Sequence, residues 1–222
     1  MHITKKTEHD PVCDLDFPNA YMRWAIIAIE ETVGEAKTID ILREAGLERL
    51  TGNLPPANME FEGLKYSDYS ALNRAIINTL GAPARALARR IGQLSARYSI
   101  EQESALFGFA STALKLMPVN MRLKVALNNM AQGFRKLAAK KGQTLDLRVE
   151  ELPEKFLYIS HTCPVCNGLL SDEPMCHIFI GTIQAGAAWL TDGKEFRVVE
   201  TQCRAMGAPA CVFELYKTPV QK

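Results

Sequence analysis

Residues 194–217 read KEFRVVETQCRAMGAPACVFELYK. The runs KEFRVVE and CVFELYK carry apolar side chains with a two-residue period, which predicts two strands flanking the loop TQCRAMGAPA. Phe196, Val198 and Glu200 share one face of the first strand, and Cys211, Phe213 and Leu215 share one face of the second. If those are the core faces, Glu200 points a carboxylate inward or to the rim. An unpaired buried carboxylate is costly, and a bound cation offsets that cost. Cys203 lies in the turn shaped by Gly207 and Pro209, so Glu200, Cys203 and Cys211 converge at one end of the hairpin. Zinc takes about four thiolate, imidazole or carboxylate ligands, and Cys176 is the natural candidate for the fourth.

Working outward, CHIFIGTIQAGAAWL (176–190) has helical length, whereas LDLRVEEL (145–152) and KFLYIS (155–160) read as strands joined around Pro153. Before Gly142 the period is helical. Met22, Ile26, Ile29 and Val33 mark a first helix stopped by Gly34, and Thr38 is placed as the N-cap of a second. Two prolines make 51–63 a loop. Leu72, Ile76, Leu80, Leu87, Ile91 and Leu94 then form an apolar stripe that Gly81 and Pro83 interrupt, giving one kinked helix or two. Ser99 with Gln102 fits a capping box for the next helix, and Pro118 precedes the last of this half. A helical half followed by a strand-rich half predicts an α+β fold, the helices packed on an antiparallel sheet. The expected division is an N-terminal extension (1–17) and a single domain (18–222), helical over 18–143 and strand-rich over 144–217.

The remaining sulfur chemistry lies at Cys163 and Cys166. This C-x-x-C pair either clasps a metal or cycles as a dithiol, and no βαβ pattern surrounds it to suggest a thioredoxin site. Two distributions are open: one site of Cys176, Glu200, Cys203 and Cys211, or one that draws in Cys163 and Cys166. His161 and His177 are nearby substitutes, more in keeping with ordinary hydrogen-bonded histidines, and Cys13 is a bystander. The 222 residues carry six cysteines and a net charge of +1. The opening residues lack an apolar signal core and no run is long enough to span a bilayer, so a cytoplasmic setting with reduced thiols is expected. Charge is uneven: residues 1–62 hold twelve acidic and six basic side chains, and residues 69–145 hold twelve basic and two acidic ones. Solvated helix faces account for such a run. The sharper reading is a basic rim for an anionic ligand, with Arg85, Arg89 and Arg90 as contacts. Nucleic acid is not expected, since a basic stacking platform would interleave aromatics.

The pattern CPVC (163–166), DEPMC (172–176), the following helix and the terminal E-T-x-C-x-A-x-G-x-x-x-C-x-F (200–213) together resemble the 4-vinyl reductase domain, a hydrocarbon-binding family. The resemblance implies a fold related to a TRAPP-type Golgi-transport subunit and to haem-binding nitric-oxide sensors, with an apolar pocket and a homodimer. From the sensor domains of phenol-responsive activators it implies a structural zinc on Cys176, Glu200, Cys203 and Cys211. From stand-alone members it implies a place in bacteriochlorophyll biosynthesis, as a reductase of a 4-vinyl group with an electron-donor or pigment-pathway partner, or as a carrier. No G-x-G-x-x-G follows a strand, so no nucleotide cofactor is indicated. A ferredoxin-like cysteine run is missing, although an unusual iron–sulfur arrangement stays open. Binding a tetrapyrrole, an aromatic or another hydrocarbon is the simpler expectation, with a scaffold role as a third class.

Overall fold

The structure is a computed structural model that describes residues 3–103 and 116–220. Strand β1 (Ile3–Lys5) is followed by helices α1 (Asn19–Val33), α2 (Glu35–Ala45), α3 (Tyr66–Leu80), α4 (Ala84–Glu103) and α5 (Val119–Ala139). Then come β2 (Leu147–Glu151), β3 (Lys155–Ser160), β4 (Leu169–Ser171), α6 (His177–Leu190), β5 (Phe196–Gln202) and β6 (Cys211–Pro219). The main sheet is antiparallel in the order β2-β3-β6-β5, and β1 pairs with β4 in a separate two-stranded ladder. The α+β expectation holds, as do the four strands of the main sheet. β1 and β4, three residues each, have no alternation long enough to read.

Several boundaries differ from expectation. Gly34, at φ +83°, stops α1 and also opens α2, so Thr38 is inside the second helix rather than its cap. Its hydroxyl donates to the Gly34 carbonyl one turn back at 2.9 Å. Gly81 and Pro83 separate two helices, α3 and α4. Ser99 caps nothing: α4 runs through it to Glu103, because Ser99 is buried on the face that also carries Ala96 and Ile100. Lys115 and most of the helix expected after Ser99 lie outside the described residues.

The buried face of α4 is not the leucine stripe. Ala84, Ala88, Ile91, Gly92 and Ala96 are buried, while Leu87 and Leu94 are half-buried. Small residues at i, i+4 spacing let another backbone approach, and α6 does so. A Cβ on Gly92 would sit 1.9 Å from the carbonyl oxygen of Ile178, and one on Gly181 would sit 2.0 Å from that of Arg89. The two helices therefore cross backbone to backbone, one turn into α6. On its other side α6 places Phe179 against the sheet, its ring 5.2 Å from that of Tyr158 and 4.9 Å from that of Phe213.

The N-terminal segment is tied to the same region. The carboxylate of buried Asp10 accepts hydrogen bonds from Arg204 Nη2 (3.0 and 3.1 Å), Gly168 N (3.2 Å) and Val12 N (3.1 Å). Burial pushes this carboxyl up, but the bonds from Arg204 and Gly168 and the Arg204 charge outweigh burial and hold its pKa below the ordinary 3.8. The loop after Cys203 is thereby fastened to residues near the start of the chain.

Gly92→Ala is expected to cost about 3 kcal/mol in urea unfolding, since neither backbone can yield without separating α4 from α6. Gly186→Ala in the same helix α6 meets open space and is expected to be neutral or to stabilise by up to ~1 kcal/mol.

Candidate functional site: a buried thiol cluster beside an apolar cavity

Five elements deliver six potential ligands to one point. Cys163 and Cys166 come from the β3–β4 connection, Cys176 caps α6, Glu200 lies in β5, Cys203 follows β5, and Cys211 opens β6. Strand alternation turns Glu200 and Cys211 inward as expected. Pairing in β5–β6 shifts between Glu200 and Gln202, a bulge of the kind that re-aims side chains. All six residues are buried, the most exposed being Glu200 at 5%. The sulfur of Cys163 is 3.7 Å from that of Cys176, Cys166 is 3.3 Å from Cys211, and Cys176 is 3.9 Å from Cys211.

These atoms form two overlapping sets, each with its donor atoms within 4.8 Å of one another: Cys163, Cys166, Cys176, Cys211 and Cys176, Glu200, Cys203, Cys211. The structure thus replaces the choice between two distributions with one contiguous cluster. A tetrahedral ion with ~2.3 Å metal–sulfur bonds spaces its sulfurs about 3.8 Å apart, so the donor set can hold a metal ion. Glu200 supports the same reading. Its Oε2 accepts from Cys176 N at 2.8 Å, whereas Oε1 is buried with no hydrogen-bond partner. Burial, then the negative charges of Cys203 and Cys163, push this carboxyl up to about 9. A bound cation would reverse that balance.

Two asparagines hold the cysteine-bearing loops, and neither stands out in the sequence. From α3, Asn73 Nδ2 donates to the carbonyls of Val165 (3.4 Å) and Met175 (3.3 Å), the residues just before Cys166 and Cys176. Asn167 Nδ2 donates to the carbonyls of Pro164 (2.8 Å), Tyr66 (3.1 Å) and Cys163 (3.4 Å). The available signal was an asparagine next to Leu72 on the apolar face of a helix.

The other candidates fall elsewhere. His161 Nδ1 lies 3.2 Å from the Pro209 carbonyl, an ordinary hydrogen bond. His177 is buried at the start of α6 but belongs to neither donor set. Burial and the charges of Arg89 and Arg85 lower its imidazole to about 4. Cys13 is in neither set. Arg85 pairs with Glu173. With Arg89 and Arg90 it lines an outer groove of about 1110 Å³ that also takes in His177 and Glu200.

A separate cavity of about 130 Å³ lies between α1, α4, α5, α6 and the sheet. Its described walls are mostly apolar and include Phe17, Leu127, Phe134, Phe179, Ile183 and Ala187. None of the three arginines lines it. Tyr158 Oη and Thr162 Oγ1, both in the wall, are buried without a hydrogen-bond partner. Pro164 and Val165 line it too, so the CPVC turn is its floor on one side and a source of donors on the other. Burial, and secondarily the charge of Cys163, raise the hydroxyl pKa of Tyr66 and Tyr69 in this wall.

Solved structures place this architecture in a known class. An oxygen-binding H-NOX domain related to soluble guanylate cyclases, in its oxygen complex, superposes with a TM-score of 0.58 at 14% identity over 93% of this chain and 98% of its own. A mutant H-NOX from T. tengcongensis gives 0.59 at 14% over 92% and 100%, and an H-NOX solved to probe the function of heme distortion gives 0.60 at 14% over 93% and 98%. At such identities the likeness is one of fold. Residues 158–217 match the family model of the 4-vinyl reductase domain, so the chain carries a domain of the family that its cysteine pattern resembles. No curated protein matches the chain. No described helix is long and apolar enough to cross a membrane.

Under native conditions a thiol reagent is expected to label half-buried Cys13 first and the five buried cysteines only slowly. Asn73→Ala is expected to speed the slow phase at least ~10-fold, because losing the two loop bonds costs about 1–2 kcal/mol. Unchanged slow-phase rates would show that Asn73 does not hold the loops.

Proposed function

We propose that this domain binds a small, largely apolar ligand in the 130 Å³ cavity, with a structural zinc in the thiol cluster fixing the wall beside it. The observation that carries the reading is the cavity itself, with two buried hydroxyls that lack partners, Tyr158 Oη and Thr162 Oγ1. A void of ~150 Å³ holds a benzene-sized molecule. As shaped, the cavity suits a single aromatic ring carrying one polar group, whereas a tetrapyrrole would require the helices to part. The family resemblance and the H-NOX fold both support a role in ligand binding.

Zinc is favoured by the donor types and by the tight sulfur spacing. Iron–sulfur clusters hold cysteines around an inorganic core and need the thiols farther apart than they stand here. Four protein ligands leave no coordination position for a substrate, so the zinc would be structural. A vinyl reductase would in addition need an electron donor, whereas binding needs none.

Titration with phenol and toluene, followed by calorimetry without any donor, tests the reading. Both are expected to bind saturably at one site. Ala187→Phe, which fills the cavity, is expected to weaken both at least ~10-fold, and Thr162→Val to weaken phenol alone by about 5-fold, the worth of one hydrogen bond. Absence of saturable binding, or binding unaffected by Ala187→Phe, would overturn it.

A further inference from the structure

We propose that the cluster is binuclear, two divalent ions sharing the thiolates of Cys176 and Cys211. The inference rests on the reading of the cluster as a metal site and extends it from one ion to two.

The number of donors separates the two cases. Two separate tetrahedral ions need eight ligands, and two tetrahedra that share an edge need six. The structure supplies six donors, and both four-membered sets contain the same two residues, Cys176 and Cys211. The shared edge is 3.9 Å long, close to the ~3.8 Å edge of a tetrahedral thiolate site. Cys163 and Cys166 complete one ion. Glu200 and Cys203 complete the other.

A single ion leaves two donors stranded. Placed among the four cysteines of the first set, it leaves Cys203 and Glu200 buried at 1% and 5% exposure, with Glu200 Oε1 unpartnered. Placed in the second set, it leaves Cys163 and Cys166 sealed at 1% and 0% exposure with no ion between them. Two ions employ every donor, including the orphaned carboxylate oxygen. Two divalent cations against five thiolates and one carboxylate give a net charge of −2, the same as one ion on four thiolates. The second ion therefore adds no uncompensated charge. The backbone N–H of Arg204 reaches Cys211 Sγ at 3.4 Å, so one proposed bridging sulfur also accepts a hydrogen bond.

The C-x-x-C pair thereby acquires a task that neither a lone zinc nor a dithiol gives it. Each ion ties a different loop to the same central pair: the first holds the cavity-lining CPVC turn, and the second holds the β5–β6 hairpin. Metal occupancy of the first position then bears directly on the cavity wall.

Native mass spectrometry of the purified full chain, with elemental analysis, reads the stoichiometry. Two zinc ions per chain are expected. The pair Cys163→Ser with Cys166→Ser is expected to retain one, the pair Glu200→Gln with Cys203→Ser to retain one, and Cys211→Ser to lose both. One ion per wild-type chain would overturn the binuclear proposal while leaving a single metal site standing. No ion in a protein purified without chelator would overturn both. Cadmium-113 NMR of the exchanged wild-type protein keeps the test independent of variants that fail to fold. Two resonances with mutual scalar coupling through bridging sulfur are expected, and one resonance, or two without coupling, would contradict the shared edge.

Discussion

Six donors, five thiols and a carboxyl, are sealed from water at one point, and no arrangement of their own protons satisfies all of them. Glu200 shows the difficulty: one oxygen accepts a backbone hydrogen bond, the other has no partner, and its carboxyl is driven up to about 9 by burial and by the thiolates beside it. Ionising the group as a whole requires a cation. The cysteine-bearing loops, the start of α6 and the β5–β6 hairpin all take their positions from this point. The C-terminal third of the fold depends on what neutralises it.

The surroundings serve that point from three directions. Asn73 reaches from α3 to fix the backbone before two of the cysteines. The glycine crossing of α4 and α6 sets where Cys176 begins its helix. The Asp10–Arg204 pair anchors the loop after Cys203 to the N-terminal segment. On the far side of the CPVC turn lies the apolar cavity, so cluster and cavity share a wall. This contiguity gives the pairing of a metal cluster with a hydrocarbon-binding pocket a mechanical sense: a rigid floor under a soft, apolar chamber.

Much of this was legible in the residues. The two-residue alternation of KEFRVVE and CVFELYK defines both strands and turns Glu200 inward, and the change of period after Gly142 separates helices from sheet. The resemblance carried by the cysteine pattern is matched by the 4-vinyl reductase domain model over 158–217. What local pattern does not encode is where a loop lands. Cys163 and Cys166 join the other cysteines because Asn73 and Asn167 hold their turn against α3, contacts spanning some ninety residues. The buried face of α4 escapes the pattern for a related reason: leucine periodicity is visible, but the close approach of α6 selects the small residues instead. Thr38 and Ser99 have the chemistry of caps, and tertiary packing and a left-handed glycine decide the boundaries.

X-ray absorption at the zinc edge of the purified chain tests the central claim most directly. The account predicts a sulfur-dominated first shell at ~2.3 Å with a minor oxygen contribution. A shell of oxygen and nitrogen alone, or cysteines found oxidised with no metal bound, would contradict it.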